Sequence, residues 1–106
     1  MANRNIRLIQ QLQECAAEYV SKNSNRTSLV TVTRAEMRDR NENVTFYVSV
    51  FPEEAEGPAL GFLMRKRGEC KQYIKENSRI QRVPHVEFAI DEGEKNRQKV
   101  DELLSE

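Results

Sequence analysis

The residues best suited to chemistry in this chain are the cations crowded between Arg65 and Arg82: Arg65, Lys66, Arg67, Lys71, Lys75, Arg79 and Arg82. Only Glu69 and Glu76 oppose them there. Arg67, Lys71, Lys75 and Arg79 advance by fours, the spacing that aligns side chains along one side of a helix. A stripe with so few acids to pair points to contact with a polyanion, a nucleic acid above all; the plainer alternative is a solvated helix face. The chain as a whole is neutral, 17 Lys and Arg against 17 Asp and Glu. A binding surface nevertheless feels local charge, because fields are screened within about 8 Å at physiological salt. The balancing acids gather at Glu53, Glu54 and Glu56 and from Asp91 to Glu106.

Other chemistry finds little material. Cys15 and Cys70 belong to no CxxC or Cys/His cluster and read as free buried thiols. His85 is the only histidine, which excludes a His-pair metal site and would rest any Ser-His-Asp triad on a residue beside Pro84. It reads as a surface or strand-edge histidine. No Gly-rich phosphate loop leads into Lys-Ser or Lys-Thr. The expectation is therefore a protein that is not an enzyme and has no cofactor or metal. A small enzyme would need His85 or Cys70 in a pocket. No apolar run approaches the roughly 20 residues of a membrane span, and MANRNIRLIQ lacks the apolar segment of a signal peptide, so a cytoplasmic protein without membrane contact is expected.

The length of 106 residues suits one domain, 1–106. With 38% hydrophobic residues and no Trp, its core must come from Val, Ile, Leu, Phe and Tyr at periodic positions. Ile9, Leu12, Ala16 and Tyr19, extended by Ile6 and Val20, predict an amphipathic helix over about Ile6–Val20, capped by Asn3 or Asn5. Ser21 to Ser28 reads as a loop. Leu29 to Met37 predicts a strand whose alternation slips at Arg34, as a bulge would make it do. After a polar hairpin loop from Arg38 to Asn43, Val44, Phe46, Val48 and Val50 mark a second strand. Its Tyr47 lies on the polar face, where cross-strand packing is the better reading and stacking on a base the other.

Pro52 closes that strand, and Glu53, Glu54 and Glu56 suit the start of a helix with Leu60, Leu63 and Met64 as its apolar stripe. Continued in phase, this helix would bury Arg67, which argues for a break, and Gly68 stands where the pattern fails. A further helix is expected to about Asn77 or Ile80. Val86, Phe88 and Ile90 then mark a third strand. Asp91 with Glu94 matches a capping box for a short last helix in which Val100, Leu103 and Leu104 would pack. The order is α-β-β-α(kinked)-β plus a short C-terminal helix, an α+β two-layer sandwich on a three-stranded sheet. A KH-type RNA-binding module and a ferredoxin-like sandwich are both compatible with it.

Over almost its whole length the chain resembles the ribosome-binding factor A family, bacterial assembly factors of the small subunit. The resemblance is carried by LVTVTRAEMRDRNENVTFYVSVFPEE, by the Gly68 helix followed by RIQRVPHVEFAID, and by VDELL. It implies a type II KH-like fold in which the usual GxxG loop is replaced by an Ala-x-Gly helix kink. Gly68 falls on the glycine; Lys66 stands at the alanine position, and Lys71 where the family has an Arg shortly after. The resemblance further implies a monomer when free that binds precursor 16S rRNA and the pre-30S particle during late maturation and cold adaptation. The residues expected to meet RNA are Lys66, Arg67, Gly68, Lys71, Lys75, Arg79 and Arg82, with Arg34, Arg38 and Arg40 extending the patch. The competing function is a protein-interaction module on a KH-like or ferredoxin-like fold without rRNA binding.

Overall fold

Leu12, Ala16, Tyr19 and Val20 share one side of a helix, and burying that side is what folds Ala2–Asn23 into α1. The computed structural model describes residues 2–23 and 28–105. Helix α1 begins before the expected Asn caps and runs past Val20, because local bonds close its last turn. Lys22 pairs with Glu18 at 3.1 Å, and the Asn23 side-chain amide donates to the Tyr19 carbonyl at 2.8 Å. Ile6 falls outside the buried stripe and is exposed. Of the expected loop, residues 24–27 lie outside the described residues.

Strands β1 (Leu29–Arg38) and β2 (Asn43–Phe51) pair antiparallel, and β3 (His85–Ile90) lies parallel to β2 on its other side. The sheet order is β1-β2-β3. The register shifts between Val32 and Arg34, where the slipping alternation predicts a bulge. Val32, Val44, Phe46, Val48, Val86 and Phe88 are buried on one sheet face, with the Phe46 and Phe88 rings 5.8 Å apart. Helices pack over this face, as a half-apolar sheet requires.

After Pro52 a single 3-10 turn, Glu53–Ala55, leads into α2 (Glu56–Arg65), and α3 (Arg67–Asn77) follows. The break falls at Lys66, two residues before the expected Gly68. Its position is set by backbone bonding. The Lys66 N–H reaches back to the Phe62 and Leu63 carbonyls, each at 3.1 Å, while its own carbonyl accepts the Cys70 N–H at 2.9 Å and opens α3. Leu63 can then be buried from α2, and Cys70 and Ile74 from α3, while Arg67 stays exposed. That is the phase conflict from which the sequence argues for a break.

The last helix, α4 (Glu92–Ser105), is longer than expected and differently attached. Asp91 caps it, its Oδ1 accepting the Glu94 N–H at 3.0 Å, but the Glu94 carboxylate turns to Arg97 instead of completing a capping box. The bulge leaves Thr33 outside the ladder, and its hydroxyl donates to Asp91 Oδ2 at 2.5 Å. Lys95 binds Glu53 at 2.9 Å and Glu56 at 3.2 Å. These anchors all lie at the start of the helix. Val100, Leu103 and Leu104, expected to pack, are exposed instead. The order of elements and the three-stranded mixed sheet make this a type II KH-like α+β fold. One end of the sheet gathers the hairpin loop, the start of α3 and the start of β3.

Candidate nucleic-acid interface

The hairpin loop carries the clearest backbone signal among the described residues. Asp39, Arg40 and Asn41 have φ of 53°, 55° and 69°, three left-handed residues in a row without a glycine. Asp and Asn visit that region readily; Arg does so at a cost of about 1–2 kcal/mol. The loop holds the conformation through local bonds: the Glu42 N–H donates to the Asp39 carbonyl at 3.1 Å, and the Asn43 amide to Asp39 Oδ2 at 2.7 Å. A third bond, from the His85 N–H to the Glu42 carbonyl at 2.9 Å, fastens the loop to β3. Buried Val83 and Pro84 fix the chain just before His85.

Against this corner stands the first half of α3, and two grooves open between them. One, of about 590 Å³, is lined by Leu8 and Met37 below, by Arg40, Asn41 and Glu42 from the hairpin loop, and by Lys71, Arg82, Val83, Pro84 and His85. The other, of about 410 Å³, is lined by Asn43, Met64, Arg67, Gly68, Lys71, His85, Val86 and Glu87. Lys71 and His85 belong to both, so the two form one two-lobed depression whose lining mixes cations with Glu42, Glu87 and apolar side chains. A larger groove of about 640 Å³ between the end of α1 and α2 is mostly apolar; Glu54 and Arg65 are its only charged lining residues among those described. It has little to offer a polyanion.

The residues expected to meet RNA divide into two groups. Arg67, Gly68, Lys71, Arg82 and Arg40 come together around the two-lobed groove. Among the described residues, Arg40, Arg67, Lys71 and Arg82 form no ion pair with a carboxylate; Arg67 donates to the Met64 carbonyl at 3.0 Å. Lys75 and Arg79 lie further along α3 and just beyond it, outside the grooves. Lys66 turns to Glu69 at 3.4 Å and sits 6.0 Å from the centre of the Phe62 ring.

Arg34 and Arg38 project from the sheet face opposite the core. Arg38 donates to the Tyr47 hydroxyl at 2.9 Å and pairs with Glu36, and the Tyr47 bond first, then the negative charge nearby, pushes its guanidinium pKa up. Arg34 lies 3.8 Å over the Tyr47 ring and reaches Glu36 and Asp91. Tyr47 is thus engaged by its own sheet, the cross-strand packing that its position suggests. Sequence reasoning missed Asn41, Asn43 and Pro84 as groove residues, and weighed His85 only as a catalyst or as a surface or strand-edge histidine. The Val83-Pro84-His85 run carried the available signal, since a proline before a strand fixes where that strand begins.

A family model described as ribosome-binding factor A matches residues 4–104. The ribosome-binding factor A of Paenarthrobacter aurescens (strain TC1) is 27% identical over 106 residues, covering 97% of this chain and 64% of the relative. The chain therefore spans less than two thirds of that relative's length. The crystal structure of ribosome-binding factor A from Thermus thermophilus aligns with a TM-score of 0.70 at 25% identity, over 80% of this chain and 93% of that one. A homology model of the Thermus thermophilus factor, fitted into the cryo-EM map of its complex with the 30S subunit, aligns with a TM-score of 0.69 at 25% identity, over 81% and 93% of the two chains.

Proposed function

This chain belongs to the ribosome-binding factor A family, and on that premise we propose that it binds precursor 16S rRNA of the small ribosomal subunit and assists late maturation of the 30S particle. The observation that carries the reading is the convergence of Arg40, Arg67, Lys71 and Arg82 on one groove, none of them ion-paired with a carboxylate among the described residues. A cation left unpaired by its own protein is free to replace the counterions of a phosphate, and the release of those counterions drives association. The bare backbone at Gly68 lets the strand approach α3 without an intervening side chain, and apolar lining residues such as Leu8 and Met37 offer contact to the flat faces of unpaired bases. Lys75 and Arg79 extend the attraction along α3. No bond is made or broken in this function. The protein works in the cytoplasm as a monomeric single domain, holding rRNA in an immature arrangement until assembly is complete.

The test is gradient sedimentation with free small subunits and with translating ribosomes, for the wild type and for Lys71→Glu and Lys75→Glu. The wild type is expected with free small subunits only. Lys71→Glu abolishes that association, and Lys75→Glu weakens it less, because Lys75 lies outside the groove. In direct titration with small-subunit rRNA, four neutralised phosphates give a log-log salt slope of about −3 to −4. Association that survives nuclease digestion, or that is insensitive to salt, would instead establish the protein-interaction module.

A further inference from the structure

We infer that His85 is itself a phosphate contact of the groove, and that its proton grades the hold on nucleic acid; this rests on the rRNA-binding reading. His85 and Lys71 are the two residues common to both lobes, so a strand lying along the groove has to cross the imidazole. His85 is exposed, and no hydrogen bond to its ring nitrogens is found among the described residues; its backbone is held in the ladder, with the N–H donating to the Glu42 carbonyl. Its position is fixed by buried Pro84 on one side and by pairing with Asn43 on the other. Backbone is held and side chain is left free, the arrangement of a residue that meets something outside the chain.

The charges facing it come from every neighbouring element. Helix α3 supplies Arg67 and Lys71, the hairpin loop Arg40 and Glu42, the segment before β3 supplies Arg82, and β3 itself Glu87. Leu8 of α1 and Met64 of α2 complete the surroundings without charge. A bound phosphate among these cations stabilises imidazolium, and by reciprocity imidazolium stabilises the bound phosphate. Histidine is the side chain whose ordinary titration spans the range in which this matters.

The experiment measures affinity for a short oligouridine, whose bases do not titrate in the window, between about pH 5.5 and 8, at several salt concentrations. Wild-type affinity is expected to rise several-fold toward the acid end, and its salt slope to steepen by about 0.7 as one more phosphate is neutralised. His85→Gln removes both changes, and His85→Arg binds tightly across the whole range. A wild-type profile as flat as that of His85→Gln, with binding still present, overturns the role of His85 and leaves the basic groove standing. Absence of oligouridine binding at every pH overturns both. Thermal unfolding of each variant keeps loss of fold apart from loss of contact.

Discussion

Gly68 is a residue for which the fold supplies no internal reason. Its φ is not positive, and a Cβ built on it would meet nothing within 4 Å. Inside α3 it costs up to about 1 kcal/mol relative to alanine. On the proposed function that cost is accounted for by its place on the groove, where bare backbone lets a phosphate approach α3. Gly68→Ala is expected to raise stability by about 0.5–1 kcal/mol in chemical denaturation and to lower rRNA affinity several-fold. Gly61, inside α2, would meet only the end of the Arg65 side chain, at 3.5 Å, and lies away from both grooves. Gly61→Ala should therefore give a similar stability gain with affinity unchanged. Equal affinities for the two variants would remove Gly68 from the interface.

Among the elements, α4 shows how a local irregularity becomes an attachment. The extra residue of the β1 bulge frees the Thr33 hydroxyl, which reaches Asp91 across the width of β2. That bond, then the N–H groups of α4 and the Arg34 charge, hold the Asp91 carboxyl below its usual range against the effect of burial. A depressed folded-state pKa contributes stability above the unfolded value of about 3.9 and loses it as pH falls through the folded one. The stability difference between wild type and Asp91→Asn is thus expected to be full at neutral pH and to shrink below about pH 4. Thr33→Val should move the Asp91 titration, followed by NMR, back toward the ordinary range and speed amide exchange in the first turns of α4. The bulge was legible because alternation slips at Arg34, and the need for a break was legible because Arg67 would otherwise be buried. Its exact place was not: the carbonyls that close on the Lys66 N–H decide it, and no side-chain pattern records them. The exposure of Leu103 and Leu104 was equally hidden, since an apolar spacing states what a helix is able to bury and not whether anything lies opposite.

For the molecule as a whole, one core holds the helices to the sheet, and Cys70 lies inside it, fully buried, its thiol pushed up to about 12 by burial and then by the neighbouring Cys15. Cys15 is partly exposed, with its thiol also raised by burial and by Glu18 and Glu14. A thiol reagent should modify Cys15 first, and Cys70 only as fast as the core opens. Equal rates would mean that α3 detaches without global unfolding. The groove is likewise a property of the whole. Each of its cations was readable in the sequence, but only the parallel pairing of β3 with β2 and the left-handed loop bring Arg40 to Lys71 and Arg82. The same pairing has a kinetic consequence. It leaves Arg40, Lys71 and Arg82 at the end where β3 begins, and Glu54 and Glu92 beyond the end where β2 and β3 finish, separated along the strands by about 30 Å. A neutral body with its charges so divided feels almost no net pull from a distant polyanion, but it does feel a torque. If the groove is the rRNA site proposed above, the molecule turns before it lands, presenting the groove and keeping the acidic end away, so that selection among encounters begins before any contact is made.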